Sequence, residues 1–207
     1  MKTVIGTLLV LALGAGAGAW FKARPVRRPA AISHAVGTRP GGVLPGQELL
    51  QPAPGDSLVG FSSGCFWGSE EALRKMPGIV ATAVGYTGGS LPNPTYEQAH
   101  QTGHLETVLV EFDPRRTPFA QLLKTFWTLP RSMSKAPASP SSPYRAAIWT
   151  YGSQEQALAE ASREALERKL HRKVGVEILP ARPFYLAEEY HQQFDEKSGK
   201  ELCPAIP

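Results

Sequence analysis

Sulfur is scarce in this chain. Of its 207 residues only two are cysteine, Cys65 and Cys203, far apart and without Cys-x-x-Cys spacing. A zinc site built from sulfur is thereby excluded, and no metal centre is expected. There is no internal repeat and no long run of one charge sign in the part that can fold, which sets aside solenoid architectures and charged tails. The formal net charge is only +4, and much of the Lys/Arg excess directly follows an N-terminal apolar run. With no basic helix and no stacking stripe beside that charge, nucleic acid is not an expected partner.

What is present begins with a leader. Residues 1–21 open with Lys2, run apolar from Val4 to Leu13 and reach Ala17-Gly18-Ala19, the small-residue form of a signal-peptidase site. A cleavable signal peptide is expected, with an uncleaved membrane anchor as the alternative, because Val4 to Phe21 nearly reaches the length of a spanning helix. Either way the protein is expected to be exported, periplasmic or membrane-tethered. Lys22, Arg24, Arg27 and Arg28 work against outward transfer of that flank and leave the orientation of an anchor open. Residues 22–54 are rich in Pro, Gly and Ala and read as a flexible linker. Residues 55–207 then form one domain, and 42% hydrophobic residues overall suffice for one sizeable core.

Within that domain Leu58–Ser62 reads as a strand that turns through Ser63-Gly64 into a helix over Trp67–Met76, stopped by Pro77-Gly78. Ile79–Tyr86 is a strand rich in β-branched residues, Gly88–Pro94 a loop, and Thr107–Phe112 a strand. Pro118–Trp127 carries Phe119, Leu122, Leu123 and Phe126 at helical spacing. Met133–Pro143, dense in Pro and Ser, reads as irregular. A strand Tyr144–Tyr151, a helix Ser153–Leu170 with Ser153 and Gln156 suited to a capping box, and a closing strand Val174–Leu179 follow. Hairpin-like and crossover connections together imply an α+β fold, a two-layer sandwich with a mixed sheet.

Cys65 follows a Ser-Ser-Gly turn at the start of a helix, where free N–H groups and the helix dipole stabilise a thiolate. Glycines on each side of Cys65-Phe66-Trp67 permit a sharp turn and close approach of another molecule. Two plainer readings stand beside this one. A free cysteine is commonly a small buried hydrophobe, and two thiols in an oxidising compartment can form an inert structural disulfide.

The segment Gly64-Cys65-Phe66-Trp67-Gly68 resembles the active-site signature of the A-type peptide methionine sulfoxide reductases. The resemblance continues through Val84-Gly85-Tyr86-Thr87-Gly88-Gly89, Pro92-Asn93-Pro94-Thr95-Tyr96, Thr102-Gly103-His104-Leu105-Glu106, Phe126-Trp127, Tyr144-Arg145 and Ala187-Glu188-Glu189-Tyr190-His191-Gln192-Gln193, covering about residues 58–203 in order. It implies a ferredoxin-like core and a reduction of methionine-S-sulfoxide, free or in proteins, that needs no cofactor beyond an external thiol reductant of the thioredoxin type. By the family pattern Cys65 is the nucleophile, Glu106 the proton donor, and Tyr96 and Tyr144 hydrogen-bond the sulfoxide oxygen. Phe66 and Trp67 seat the substrate methyl group, and Cys203 resolves the sulfenic acid formed on Cys65. His104 and His191 are expected to be structural or supporting. His100 and His104, four apart, lack a third metal ligand, and Gly103 argues against one helix holding both. A monomer is expected.

One stretch departs from the family. Leu129-Pro130-Arg131 and the Pro/Ser run before Tyr144 replace its usual residues, and the pocket aspartate of the family falls on Ser139. The alternative function implied by that loss is a catalytically impaired module that binds methionine or its sulfoxide. An active, diverged enzyme is the preferred expectation, because the nucleophile, acid and both tyrosines remain.

Overall fold

Period-two alternation of apolar side chains builds the sheet, and it also decides which face carries chemistry. The computed structural model describes residues 52–134, 142 and 144–199. The chain runs β1 (Ser57–Ser63), α1 (Phe66–Arg74), β2 (Ile79–Thr87), α2 (Tyr96–Gln101), β3 (Leu105–Phe112), α3 (Phe119–Phe126) and β4 (Ala146–Thr150). It continues with α4 (Ser153–Leu170), β5 (Val176–Pro180), β6 (Phe184–Leu186), a 3-10 turn (Glu189–His191) and α5 (Phe194–Ser198). The six strands form one sheet in the order β5-β4-β1-β3-β2-β6. The β4/β5 pair is parallel and is joined by the α4 crossover; the remaining pairs are antiparallel. This is the mixed-sheet α+β fold that the sequence implies.

Val59 and Phe61 of β1, Val84 and Tyr86 of β2, and Val108, Val110 and Phe112 of β3 share one core with Phe66 and Leu73 of α1, the apolar stripe of α3, and Ala159 of α4. Leu58, Ala83 and Leu109 face the other way, against Phe184. By the same alternation Glu106 lies on the helix-covered side of β3. Its register partner on β2 is Tyr86. A carboxyl group is thus built into the layer where α1 begins.

Most expected elements are found with ends shifted by a few residues. Three short ones, α2, β6 and α5, lie in stretches to which the sequence reading assigns no element. The capping box expected at Ser153 is absent: the N-cap of α4 is Gly152, without a side-chain cap, and Ser153 is already helical. A complete box occurs instead at α2, where the Thr95 side chain accepts from Gln98 N–H and the Gln98 side chain accepts from Thr95 N–H. Among the described residues no helix is long and apolar enough to cross a membrane. The leader and linker up to Gln51 lie outside them.

Candidate active site

β1 hands over to α1 through a turn that only glycine fits comfortably. Gly64 has φ +90, and a Cβ placed there would meet the Arg131 Cδ at 3.1 Å. Cys65 is the N-cap of α1. Its carbonyl accepts from Ser69 Oγ at 3.1 Å, and Ser69 Oγ is hydrogen-bonded to Ser63 Oγ at 2.8 Å, so the turn is buttressed from strand and helix together. The Cys65 sulfur is engaged in a disulfide. Cys203, to which the resolving role was given, lies outside the described residues.

The first N–H of α1 finds its partner across the sheet. Phe66 N–H donates to Glu106 Oε2 at 3.1 Å, so the carboxyl sits at the positive end of the helix beside residue 65. Glu106 Oε1 is hydrogen-bonded to His100 Nε2, also at 3.1 Å. Glu106 is only 3% exposed. Burial raises its pKa to about 7, outweighing the opposing effect of the Phe66 N–H bond. Burial likewise lowers the pKa of His100, although Glu97 opposes this. Both shifts favour the uncharged forms, so the contact is disposed toward an imidazole beside a carboxylic acid rather than an ion pair.

The two tyrosines lie against the same imidazole. The Tyr96 ring is 4.3 Å from the His100 ring and that of Tyr144 is 5.7 Å from it, edge-on. Burial, then a hydrogen bond to Tyr144, holds the Tyr96 hydroxyl well above its ordinary pKa, so it remains protonated at any working pH. The Tyr96 backbone N–H donates to Glu188 Oε1 at 3.0 Å, and the Tyr86 hydroxyl donates to Glu188 Oε2 at 2.8 Å. Burial pushes the Glu188 pKa up, but its own backbone N–H, followed by these two bonds, more than offsets it and holds the group below its usual range, a carboxylate.

Phe66 and Trp67 open the apolar part. Trp67 stacks on Phe194 at 4.0 Å, and its indole N–H donates to His191 Nδ1 at 3.0 Å. The His191 ring contacts Phe66 at 5.2 Å and Tyr96 at 5.1 Å. Burial holds its pKa down, and accepting at Nδ1 places its hydrogen on Nε2. His191 thus braces the aromatic wall, in keeping with a supporting role.

Six residues singled out from sequence are thereby gathered: Cys65, Phe66 and Trp67 on α1, Glu106 on β3, Tyr96 on α2 and Tyr144 before β4. His104 is not among them. It is fully buried, with Nδ1 hydrogen-bonded to Thr102 Oγ1 at 2.9 Å. Ser139 lies outside the described residues. Sequence reasoning missed His100 as the neighbour of Glu106, and also Tyr86 and Glu188 as supports of Tyr96. Glu188 stood in a recognised segment, whereas nothing in the six-residue separation from Glu106 marked His100.

The family model for peptide methionine sulfoxide reductase matches residues 57–206. A peptide methionine sulfoxide reductase MsrA of Methanosarcina acetivorans is 43% identical over 154 residues, covering 70% of this chain and 82% of that protein. A peptide methionine sulfoxide reductase of Brassica napus is 38% identical over 184 residues, 87% of this chain and 68% of that protein. Among solved structures, methionine sulfoxide reductase A of Corynebacterium diphtheriae superposes with a TM-score of 0.62 at 28% identity, covering 87% of this chain and 99% of that one. Reduced Mxr1 of Saccharomyces cerevisiae gives 0.67 at 25% identity, with 79% and 97% covered. A turn that presents Cys65 at a helix start beside a buried acid, on this sheet and with these relatives, places the chain in the peptide methionine sulfoxide reductase family.

Proposed function

We propose that the chain reduces methionine-S-sulfoxide, free or in proteins, to methionine, with Cys65 as nucleophile and Glu106 as acid. The observation that carries this reading is the bond from Phe66 N–H to a buried Glu106 carboxyl whose pKa is lifted to about 7. A carboxyl so placed still holds its proton near neutral pH and holds it beside residue 65.

In the reduced enzyme the Cys65 sulfur donates an electron pair to the sulfoxide sulfur. Glu106 protonates the sulfoxide oxygen, and Tyr96 and Tyr144 hydrogen-bond it. The S–O bond breaks as oxygen passes to Cys65. The balance is one thiol plus one sulfoxide giving one sulfenic acid plus one thioether: substrate sulfur is reduced by two electrons and Cys65 oxidised by two. Phe66 and Trp67 receive the methyl group, with Trp67 fixed by Phe194 and His191.

Cys203, the other cysteine of the chain, then attacks the sulfenic sulfur, releasing water and forming a disulfide. A dithiol protein of the thioredoxin type reduces that bond. The disulfide state of Cys65 is consistent with such a cycle. On residues 1–21 we assign an exported, periplasmic or membrane-tethered location, the folded unit working as a monomer behind its linker.

The test is methionine formation from separated S and R epimers. Wild type is expected to turn over the S epimer, and Cys65→Ser to form no methionine. Cys203→Ser is expected to complete one turnover and then stall with thioredoxin. Equal use of both epimers, or activity surviving Cys65→Ser, overturns the reading of the reaction; undiminished thioredoxin-driven cycling by Cys203→Ser overturns only the resolving step.

A further inference from the structure

The two oxygens of Glu106 have different surroundings. Oε2 accepts from the N–H of Phe66 and so lies on the Cys65 side, while Oε1 contacts His100 Nε2 at 3.1 Å. His100 is held in place by ring contacts with Tyr96 and Tyr144. Its side chain is 25% exposed, whereas that of Glu106 is 3% exposed, so it stands between the buried acid and solvent.

We propose that His100 is a positioning residue for the acid: Nε2–H donates to Glu106 Oε1, leaves the reactive proton on the Cys65-facing oxygen Oε2, and stabilises the carboxylate that appears when that proton departs. The inference rests on Glu106 being the proton donor of the reaction proposed above. In the step itself the O–H bond of Glu106 breaks, its proton goes to the sulfoxide oxygen, and His100 keeps its own hydrogen throughout. A hydrogen bond to a carboxylate is roughly twice as strong as one to a neutral carboxyl. The bond therefore strengthens as the transition state is approached, which makes it catalytically effective rather than merely adhesive.

The ionisable and charged groups that face His100 are Glu97 and Tyr96 on its own helix, Glu106 on β3, Tyr144 before β4 and His191 on the 3-10 turn, with the Arg131 guanidinium 5.8 Å from the Tyr144 ring. Only Glu106 shares a hydrogen bond with Nε2 in this set. Loss of that donor should therefore move the proton affinity of Glu106 before any other.

The experiment is single-turnover methionine formation by pre-reduced enzyme from pH 6 to 9, so that neither Cys203 nor the external reductant sets the rate. His100→Phe keeps a ring between the tyrosines but removes the donor. It is expected to lower the plateau rate about tenfold and to move the alkaline limb to higher pH, because the carboxylate loses a stabilising bond. His100→Gln keeps an N–H donor and is expected to recover most of the rate and return the limb toward that of wild type. A limb unmoved in His100→Phe, or His100→Gln falling as far as His100→Phe, overturns the proposal. Should His100→Phe fail to fold, His100→Ala is read by the same two criteria. Glu106→Gln separates the two layers: if it retains the rate and the alkaline limb, the assignment of Glu106 fails, whereas a collapse there with no effect at position 100 refutes only the role of His100.

Discussion

The tyrosine pair shows how coupled the polar wall is. Tyr144 is the side-chain partner that, after burial, helps to raise the Tyr96 pKa, and both rings rest on the imidazole that contacts Glu106. Removing one hydroxyl leaves its partner free to reach the substrate oxygen, so the two losses should not simply multiply. We expect Tyr96→Phe and Tyr144→Phe each to reduce kcat/KM on the order of tenfold, and the double variant to lose much less than a hundredfold relative to wild type. A double-mutant cycle on the S epimer measures this, and strictly multiplicative losses would count against a shared role. Both tyrosines were legible through the family resemblance. Their common platform was not, because His100 and Tyr144 are far apart in the chain and their rings meet only in the folded molecule.

At the scale of elements, α2 carries more function than its six residues suggest. It bears Tyr96 and His100, and Thr95 supplies its reciprocal cap. So short a helix lacks both the apolar period that revealed α3 and the long run of helix formers that revealed α4, and the preceding Pro-Asn-Pro reads as turn. The Thr95…Gln98 spacing was the available signal. The same spacing at Ser153…Gln156 suggested a cap one residue inside the true start of α4. Such a pattern identifies a helix end only where the first residue keeps extended backbone, as Thr95 does at φ −74 and ψ 170. β6 escaped for a related reason: three residues cannot display alternation, and its pairing with Gly85–Thr87 is set by tertiary position. Thr95→Ala is expected to destabilise the protein by about 1 kcal/mol and to lower kcat as Tyr96 and His100 lose their alignment. Thermal unfolding and steady-state turnover on the same preparation check it; unchanged turnover would show that tertiary packing alone fixes α2.

For the molecule as a whole, the sheet was readable because β1 is a short apolar run, β2 is rich in β-branched residues and β3 alternates around an apolar centre, but the binding of the C-terminal segment to that sheet was not. It is fastened by polar groups. The Gln192 side chain accepts from Val84 N–H and donates to the Val84 and Ala187 carbonyls, each at 2.9 Å, pairing with β2 as a strand would. Glu70, in the interior of α1, accepts from Thr82 Oγ1 at 2.9 Å and from Gln193 N–H at 2.7 Å, joining the nucleophile's helix, β2 and the tail. Burial raises the Glu70 pKa from 4.5 to about 7, against the lowering effects of the Gln193 and Thr82 bonds and of Arg74. Below about 4.5 the group is protonated whether the chain is folded or not, and its contribution to stability is fully present. As the pH rises the unfolded chain ionises first, and the contribution is lost progressively until the pH passes about 7. The rise from 4.5 to about 7 corresponds to on the order of 3 kcal/mol. Glu70→Gln keeps an oxygen for Gln193 N–H and an amide for the Thr82 hydroxyl but cannot ionise. Urea unfolding of oxidised protein at pH 5 and pH 8 should therefore show wild type losing more stability across that interval than the variant, by on the order of 3 kcal/mol; Glu106 contributes in the same direction to both proteins and cancels in the comparison. Equal slopes would mean that water reaches Glu70 and that its carboxyl is not buried at a cost.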